Sequence, residues 1–231
     1  MLWGFVDVTY LIFIVPAAII AIWAQVRVKS TYSRYGQMLN REGLTGAQAA
    51  RLILDRNGLQ HIRIERVSGS LTDHYSPKEN VIRLSDSTYN APTIGAVGVA
   101  AHEAGHAVQY DVGYFPIRLR NGIIPICQIG SQLSWPLFLL GMIFQSGLLL
   151  DIGILLFCIA TLFQLITLPV EFNASRRAME TLEGEGILAA DELSGARKVL
   201  SAAAMTYVAA LVTALAHLLR MLVLRNRNDR R

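Results

Sequence analysis

The chain has 231 residues, 53% of them apolar and 16% charged, with a mean hydropathy of +0.40 and a net charge of +4. Soluble domains carry about 45–50% apolar and about 25% charged residues, so this composition excludes an ordinary soluble globule and leaves room for one small soluble domain plus several membrane spans. The modest charge, with no basic surface interleaved with aromatics, also excludes nucleic acid as a partner.

Residues 1–24 are predicted as an N-terminal transmembrane anchor. Leu2–Ala24 is apolar, with one acid, Asp7, and no basic residue. Trp3 and Trp23 bracket it at a spacing of about 30 Å along a helix, the thickness of a hydrocarbon core. A signal peptide would need a basic leader and a small-x-small cleavage site, and neither is evident, so a retained anchor is expected.

Residues 25–120 read as a small soluble α+β domain. Thr45-Gly46-Ala47-Gln48 is a capping-box pattern opening a helix to about Asn57, with Gly58 as its stop. Ile62–Val67 and Val81–Leu84 then alternate apolar with charged residues, which predicts two half-buried strands joined by a polar loop through Asp73-His74-Tyr75-Ser76-Pro77. Asn90-Ala91-Pro92-Thr93 supplies a further helix start, and Ile94–Val108 is apolar except for His102, Glu103 and His106.

Those three residues form a His-Glu-x-x-His constellation. On a helix His102 and His106 lie one turn apart on one face, so both imidazoles can reach one ion, and Glu103 sits beside them as the base for a bound water. An apolar helix carrying such groups is costly unless they have a partner. A catalytic zinc needs a third protein ligand, with water in the fourth place. The metzincin continuation is excluded, because Gln109 and Val112 stand where its glycine and third histidine would be. No acid occurs between Asp111 and Asp151, so a thermolysin-like glutamate some twenty residues on is absent as well.

Residues 121–170 are predicted as a transmembrane hairpin, with spans at Ile123–Phe144 and Leu148–Val170 and a link at Gln145-Ser146-Gly147. Residues 171–201 form a returning helix and loop. Residues 202–231 form a C-terminal transmembrane or membrane-associated helix, alanine-rich over Ala202–Leu224, with Arg220 expected to snorkel and a basic tail from Arg225 expected to touch anionic lipid. Within the spans, Cys127 and Cys158 read as packing residues, and His217 as a histidine hydrogen-bonded to a neighbouring helix.

Of 21 Lys and Arg, twelve lie in Gln25–Arg120, four in Glu171–Leu200 and five from Arg220 onward. The positive-inside rule therefore puts the soluble domain and the segment after Val170 in the cytoplasm. Four spans would place the C-terminal arginines outside, against that rule; four remain the expectation. The hairpin returns the chain to the face of His102 and His106, where Glu171 is the first acid available. Spacing alone leaves Glu180, Glu183, Glu185, Asp191 and Glu192 as rivals farther from the membrane exit.

Four stretches now carry a resemblance: Val99–Gln109 around the motif, Leu71–Pro77 upstream, Leu168–Ala178 downstream, and Leu200 through Thr206-Tyr207-Val208-Ala209. Together they resemble the YugP-type membrane zinc metallopeptidases of bacteria over nearly the whole chain. More distantly, the order of anchor, motif helix, hairpin and returning glutamate helix is similar to the HtpX-type membrane proteases and the CAAX prenyl proteases. The resemblance implies zinc as cofactor, Glu171 as the third zinc ligand beside His102 and His106, and peptide hydrolysis with Glu103 as the catalytic base. The distant family has an aspartate four positions after the glutamate; here Ser175 stands there, with Asn173 and Arg176 as alternative supports. His74, Tyr75, Arg176 and Tyr207 are candidates for the oxyanion donor.

The expected fold is mainly α: a polytopic protein with about four transmembrane helices and a small zincin-like soluble domain. The expected protein is a multi-pass enzyme of the cell membrane whose gluzincin-like HExxH site faces the cytoplasm. It would act as an endopeptidase on membrane-protein or peptide substrates near the bilayer surface, which fits membrane-protein quality control. The competing class is a zinc-bearing membrane scaffold or adaptor without turnover, and a transporter is disfavoured by the scarcity of polar groups in the spans.

Overall fold

A computed structural model describes residues 8–228. Leu2, Trp3 and Asp7 of the predicted anchor, and Arg230 and Arg231 of the basic tail, lie outside the described residues. A π-helical turn at Tyr10–Ile14 leads into α1 (Val15–Tyr35), followed by α2 (Gly46–Arg56), β1 (Arg63–Val67), β2 (His74–Ser76), β3 (Val81–Ser85), α3 (Asp86–Tyr89), α4 (Ile94–Asp111), α5 (Phe115–Ile143), α6 (Gly147–Gly184) and α7 (Ala190–Asn228). The protein is mainly helical, and the helices over Tyr10–Tyr35, Phe115–Ile143, Gly147–Gly184 and Ala190–Asn228 are long and apolar enough to cross a membrane. Each continues beyond the apolar run that marks it in the sequence.

The chain forms two compact units. The described part of the first comprises residues 8–25, Leu119–Pro169 and 206–228; the second comprises Val26–Arg118 and Val170–Met205.

The first unit places large apolar side chains on its outside. Leu11, Ile19, Ile129, Leu155 and Leu162 are exposed, while small residues such as Ala17 and Ala216 are buried. In water that surface would cost about 25 cal/mol per Å² of apolar area; in hydrocarbon it is the favourable arrangement. Close approach of α5 and α6 is set by glycine: a Cβ on Gly141 would come 2.7 Å from Leu150 N, and one on Gly153 would come 2.9 Å from Ser134 O. Phe138, Leu150, Ile154 and Met221 fill the space between α5, α6 and α7. Two expectations change here. Arg220 does not snorkel: it is buried, with its guanidinium 5.3 Å from the centroid of the Tyr10 ring. His217 packs edge-on against Trp135 and Phe157, and its buried Nδ1 meets no hydrogen-bond partner among the described residues, in place of the expected bond to a neighbouring helix. Cys127 and Cys158 are free thiols, the first buried. Near the end of α7, Arg225 grips the Asp151 carboxylate of α6 in two-pronged fashion, at 2.8 and 3.1 Å.

In the second unit α2 opens on a complete capping box. The Thr45 hydroxyl accepts from Gln48 N, and the Gln48 side chain accepts from Thr45 N. Its apolar face (Ala49, Ala50, Ile53, Leu54) packs in one core with Val97, Ala100, Ala101 and Ala104 of α4, Ile82 and Leu84 of β3, and Ala178 and Leu182 of α6. The sheet differs from the expected pair of half-buried strands. Residues 74–76, read as loop, form the short strand β2, and the order is β1-β3-β2, with β3 parallel to β1 and antiparallel to β2. The central β3 is consequently covered on both faces, and only Arg83 is partly exposed. The α4 cap is Thr93, whose hydroxyl accepts from Ala96 N, and Pro92 directly precedes this cap, beside the first turn.

Candidate metal centre

All the residues of the candidate site belong to the second unit. His102 and His106 lie one turn apart on α4, with ring centroids 4.7 Å apart and ring planes nearly perpendicular. Glu171 sits on α6, where the residue is 3% exposed. His102 Nε2 lies 3.3 Å and His106 Nε2 3.6 Å from the same oxygen, Glu171 Oε2. Across the cluster, one ligand atom from each of the three residues lies within 4.8 Å of the others.

Those distances bear on whether the cluster fits a metal. A direct charge-assisted hydrogen bond closes to about 2.7–2.9 Å. A tetrahedral zinc with ligands at about 2.0–2.2 Å holds neighbouring ligand atoms about 3.4 Å apart. The two imidazole-to-carboxylate separations match the second spacing, and two neutral nitrogens with one carboxylate oxygen form a donor set that suits zinc. The electrostatics agree. Burial works to raise the Glu171 carboxyl, but the two imidazoles that face it, His102 and His106, outweigh burial and hold the group well below the usual carboxylate range. Burial likewise works to lower His106, but Glu171 and the charge of Glu103 hold it above the ordinary histidine value.

Glu103 is buried on α4 next to His102, close enough for its charge to act on His106. The rival acids are engaged elsewhere or exposed. Glu180 pairs with Arg176, Glu185 with Arg56 and Asp191 with Arg41, while Glu183 is exposed. Glu192 accepts from the backbone nitrogens of Arg41 and Ala189, holding the start of α7.

The candidate oxyanion donors are scattered. His74 is exposed on β2, with its Nδ1 2.9 Å from Thr72 O. Arg176 is exposed, and Tyr207 belongs to the first unit. Tyr75 is half-buried and packs edge-on against Tyr110, one turn beyond His106 on α4. Burial first, then the neighbouring Tyr110 and Asp111, raises the Tyr75 phenol, which leaves it protonated and able to donate.

Two features of the centre escape the sequence pattern. Gly105, inside the motif, lets α4 meet α6: an ideal Cβ there would lie 2.7 Å from Ala174 O. Gln109 is fully buried and reaches from His106 to the backbone of α6. A glutamine on an otherwise apolar helix face, three residues after the second histidine of the motif, is the signal that could have found it. Ser175 stands where the distant families have aspartate, and its hydroxyl lies 3.1 Å from His102 Nδ1.

Comparison with known proteins follows the same direction. Residues 10–226 match the family described as "Putative neutral zinc metallopeptidase". Over 214 residues, 92% of this chain and 95% of the relative, the sequence is 47% identical to the "Putative membrane protease YugP" of Bacillus subtilis (strain 168). No solved structure matches the chain. With a family match over nearly its whole length and apolar helices long enough to cross a bilayer, the chain belongs to the YugP-type membrane zinc metallopeptidases, and its cofactor is zinc.

Proposed function

We propose that this protein is a gluzincin-like endopeptidase that cleaves peptide bonds of membrane proteins at the cytoplasmic surface of the cell membrane. In this reading His102, His106 and Glu171 hold the zinc, Glu103 is the catalytic base, and the second unit is a zincin-like domain. The observation that carries it is the pair of Nε2 atoms facing one Glu171 oxygen at 3.3 and 3.6 Å.

When bound, zinc supplies Lewis acidity, acidifying a water and polarising the scissile carbonyl. The protein's own residues do the rest. His102 and His106 present neutral Nε2 lone pairs, and the Glu171 carboxylate balances charge in a site largely closed to solvent. Glu103, one residue along from His102, takes the proton of the attacking water and returns it to the leaving amine. Its burial keeps bulk water from competing for that proton.

The membrane-side substrate rests on sequence position and charge. Glu171 directly follows Val170, the last residue of the apolar stretch, and sixteen of the 21 basic residues lie in the segments assigned to the cytoplasm. Loops and frayed tails of membrane proteins would be the accessible substrates, as quality control requires. The test uses purified full-length protein with a membrane-tethered reporter and a soluble reporter of the same sequence. Zinc-dependent cleavage that favours the tethered form is expected, and Glu103→Gln should keep zinc but lose cleavage. Equal rates on the two reporters would overturn the membrane-surface assignment, and zinc binding without any Glu103-dependent cleavage would overturn the protease assignment.

A further inference from the structure

A chain of four polar side chains and one carbonyl runs from Arg177 to His106, and its ends fix the direction of every hydrogen bond in it. A guanidinium can only donate. Arg177 Nε lies 2.9 Å from Asn173 Oδ1, so the atom of Asn173 facing it is the amide oxygen. Gln109 Nε2 lies 2.9 Å from that same oxygen and 2.8 Å from Val170 O, a backbone carbonyl that can only accept. Both neighbours of this end of Gln109 are acceptors, so it carries the NH₂, and the opposite end is the carbonyl oxygen. That oxygen lies 3.0 Å from His106 Nδ1. The Nδ1 must therefore donate, which leaves Nε2, 3.6 Å from Glu171 Oε2, as the ring nitrogen free to face a metal.

We propose that Gln109 is the positioning residue of the zinc centre: its buried amide locks His106 in the Nδ1–H tautomer and ties the α4 ligands to the α6 backbone beside Glu171. The inference rests on the reading of His102, His106 and Glu171 as the zinc ligands. Val170, whose carbonyl Gln109 holds, directly precedes Glu171, so one side chain sets both a histidine tautomer and the seat of the carboxylate ligand. Ser175, one helical turn after Glu171, holds the other histidine at Nδ1. Both orienting contacts are made by uncharged groups, where a carboxylate more often performs this task. Glu171 is therefore the only anion among the three ligands and the two groups that orient them. Gln109 is 0% exposed, so an apolar residue of equal length would leave the Val170 carbonyl, the Asn173 oxygen and His106 Nδ1 without this partner.

The test measures zinc affinity of the full-length, detergent-purified protein by chelator competition, together with the ¹⁵N spectrum of histidine-labelled zinc-loaded protein. Gln109→Met fills the same space without polar atoms and should weaken zinc binding about 10–100-fold. Gln109→Glu keeps an acceptor for His106 but sets its second oxygen against the Val170 and Asn173 oxygens, both acceptors, so it too should bind zinc more weakly than the parent. In the unsubstituted protein His106, identified by loss of its signal in His106→Gln, should show a protonated Nδ1 and a metal-shifted Nε2. Two results would overturn the proposal: Gln109→Met binding zinc as tightly as the parent, or an unprotonated His106 Nδ1. The spectrum decides even where Gln109→Met does not fold. Absence of zinc from the parent protein would instead refute the ligand assignment itself.

Discussion

Two glycines on α4 provide a matched pair for testing how the metal centre is built. An ideal Cβ on Gly105 would sit 2.7 Å from Ala174 O of α6, whereas one on Gly98 would meet the Ala196 Cβ of α7 at an ordinary 3.4 Å. Gly105→Ala therefore requires α4 and α6 to separate by about 0.7 Å, the gap between 2.7 Å and ordinary contact. Overpacking of this kind costs about 1–3 kcal/mol, partly offset by about 1 kcal/mol gained when alanine replaces glycine in a helix. The net loss of up to about 2 kcal/mol lowers the melting temperature by no more than about 8 °C. The effect on zinc is larger, because ligand distances tolerate only about 0.2 Å, and Glu171 rides on α6 three residues before Ala174. Zinc affinity is expected to fall at least tenfold. Gly98→Ala keeps affinity and gains a few degrees. Chelator competition and thermal unfolding of the two purified variants check this, and equal zinc affinity in the two would refute the idea that Gly105 sets the ligand geometry.

Further outcomes follow from other parts of the structure. Glu103→Gln should retain stoichiometric zinc by metal analysis while cleavage of a membrane-tethered reporter falls by about 10²–10⁴-fold, the range for loss of a general base. Chelation should stop cleavage reversibly; a protein held at free zinc a hundredfold above its Kd gains about 2.7 kcal/mol, so stripping it should lower the melting temperature by about 5–10 °C. Hydrogen bonds from Arg66 and then from Gly69 N hold the Asp86 carboxyl below the ordinary aspartate range. Its contribution to stability is present above the unfolded value and is lost as pH falls through the folded one, so Asp86→Asn should flatten the acid side of the stability profile in melting scans below about pH 4. In a background lacking Cys127 and Cys158, single cysteines at Ser146 and Asn226 should react with an impermeant maleimide from the same side of the membrane, because Arg225 reaches Asp151 near the start of α6.

What the sequence discloses depends on how local the cause is. The α2 cap is legible because Thr45 and Gln48 satisfy one another within a single turn. Four long helices are legible because hydropathy needs no partner to be counted. That two apolar helices carry the chain out and back makes Glu171 the first acid to return to the histidines, but spacing leaves five rivals, and only the family resemblance singles it out. The sheet is less legible. Three residues are too few for His74-Tyr75-Ser76 to show a period, and the burial of β3 on both faces follows from its central place between β1 and β2, a fact of pairing rather than of residue pattern. Gln109 and Arg177 are hidden for a related reason. Each is an ordinary polar helix residue until the partner helix supplies the other end of the bond.

The separation of the cluster along the chain has a consequence for biosynthesis. His102 and Glu171 are 69 residues apart, and most of the intervening chain is the two apolar helices α5 and α6. On the proposed ligand set, a ribosome that has just released the histidines has made a protein that cannot yet hold its metal, since Glu171 emerges only after α5 and the apolar part of α6 have been synthesised. On that proposal the order of translation acts as a safety catch, completing the metal site only after both apolar helices have been made.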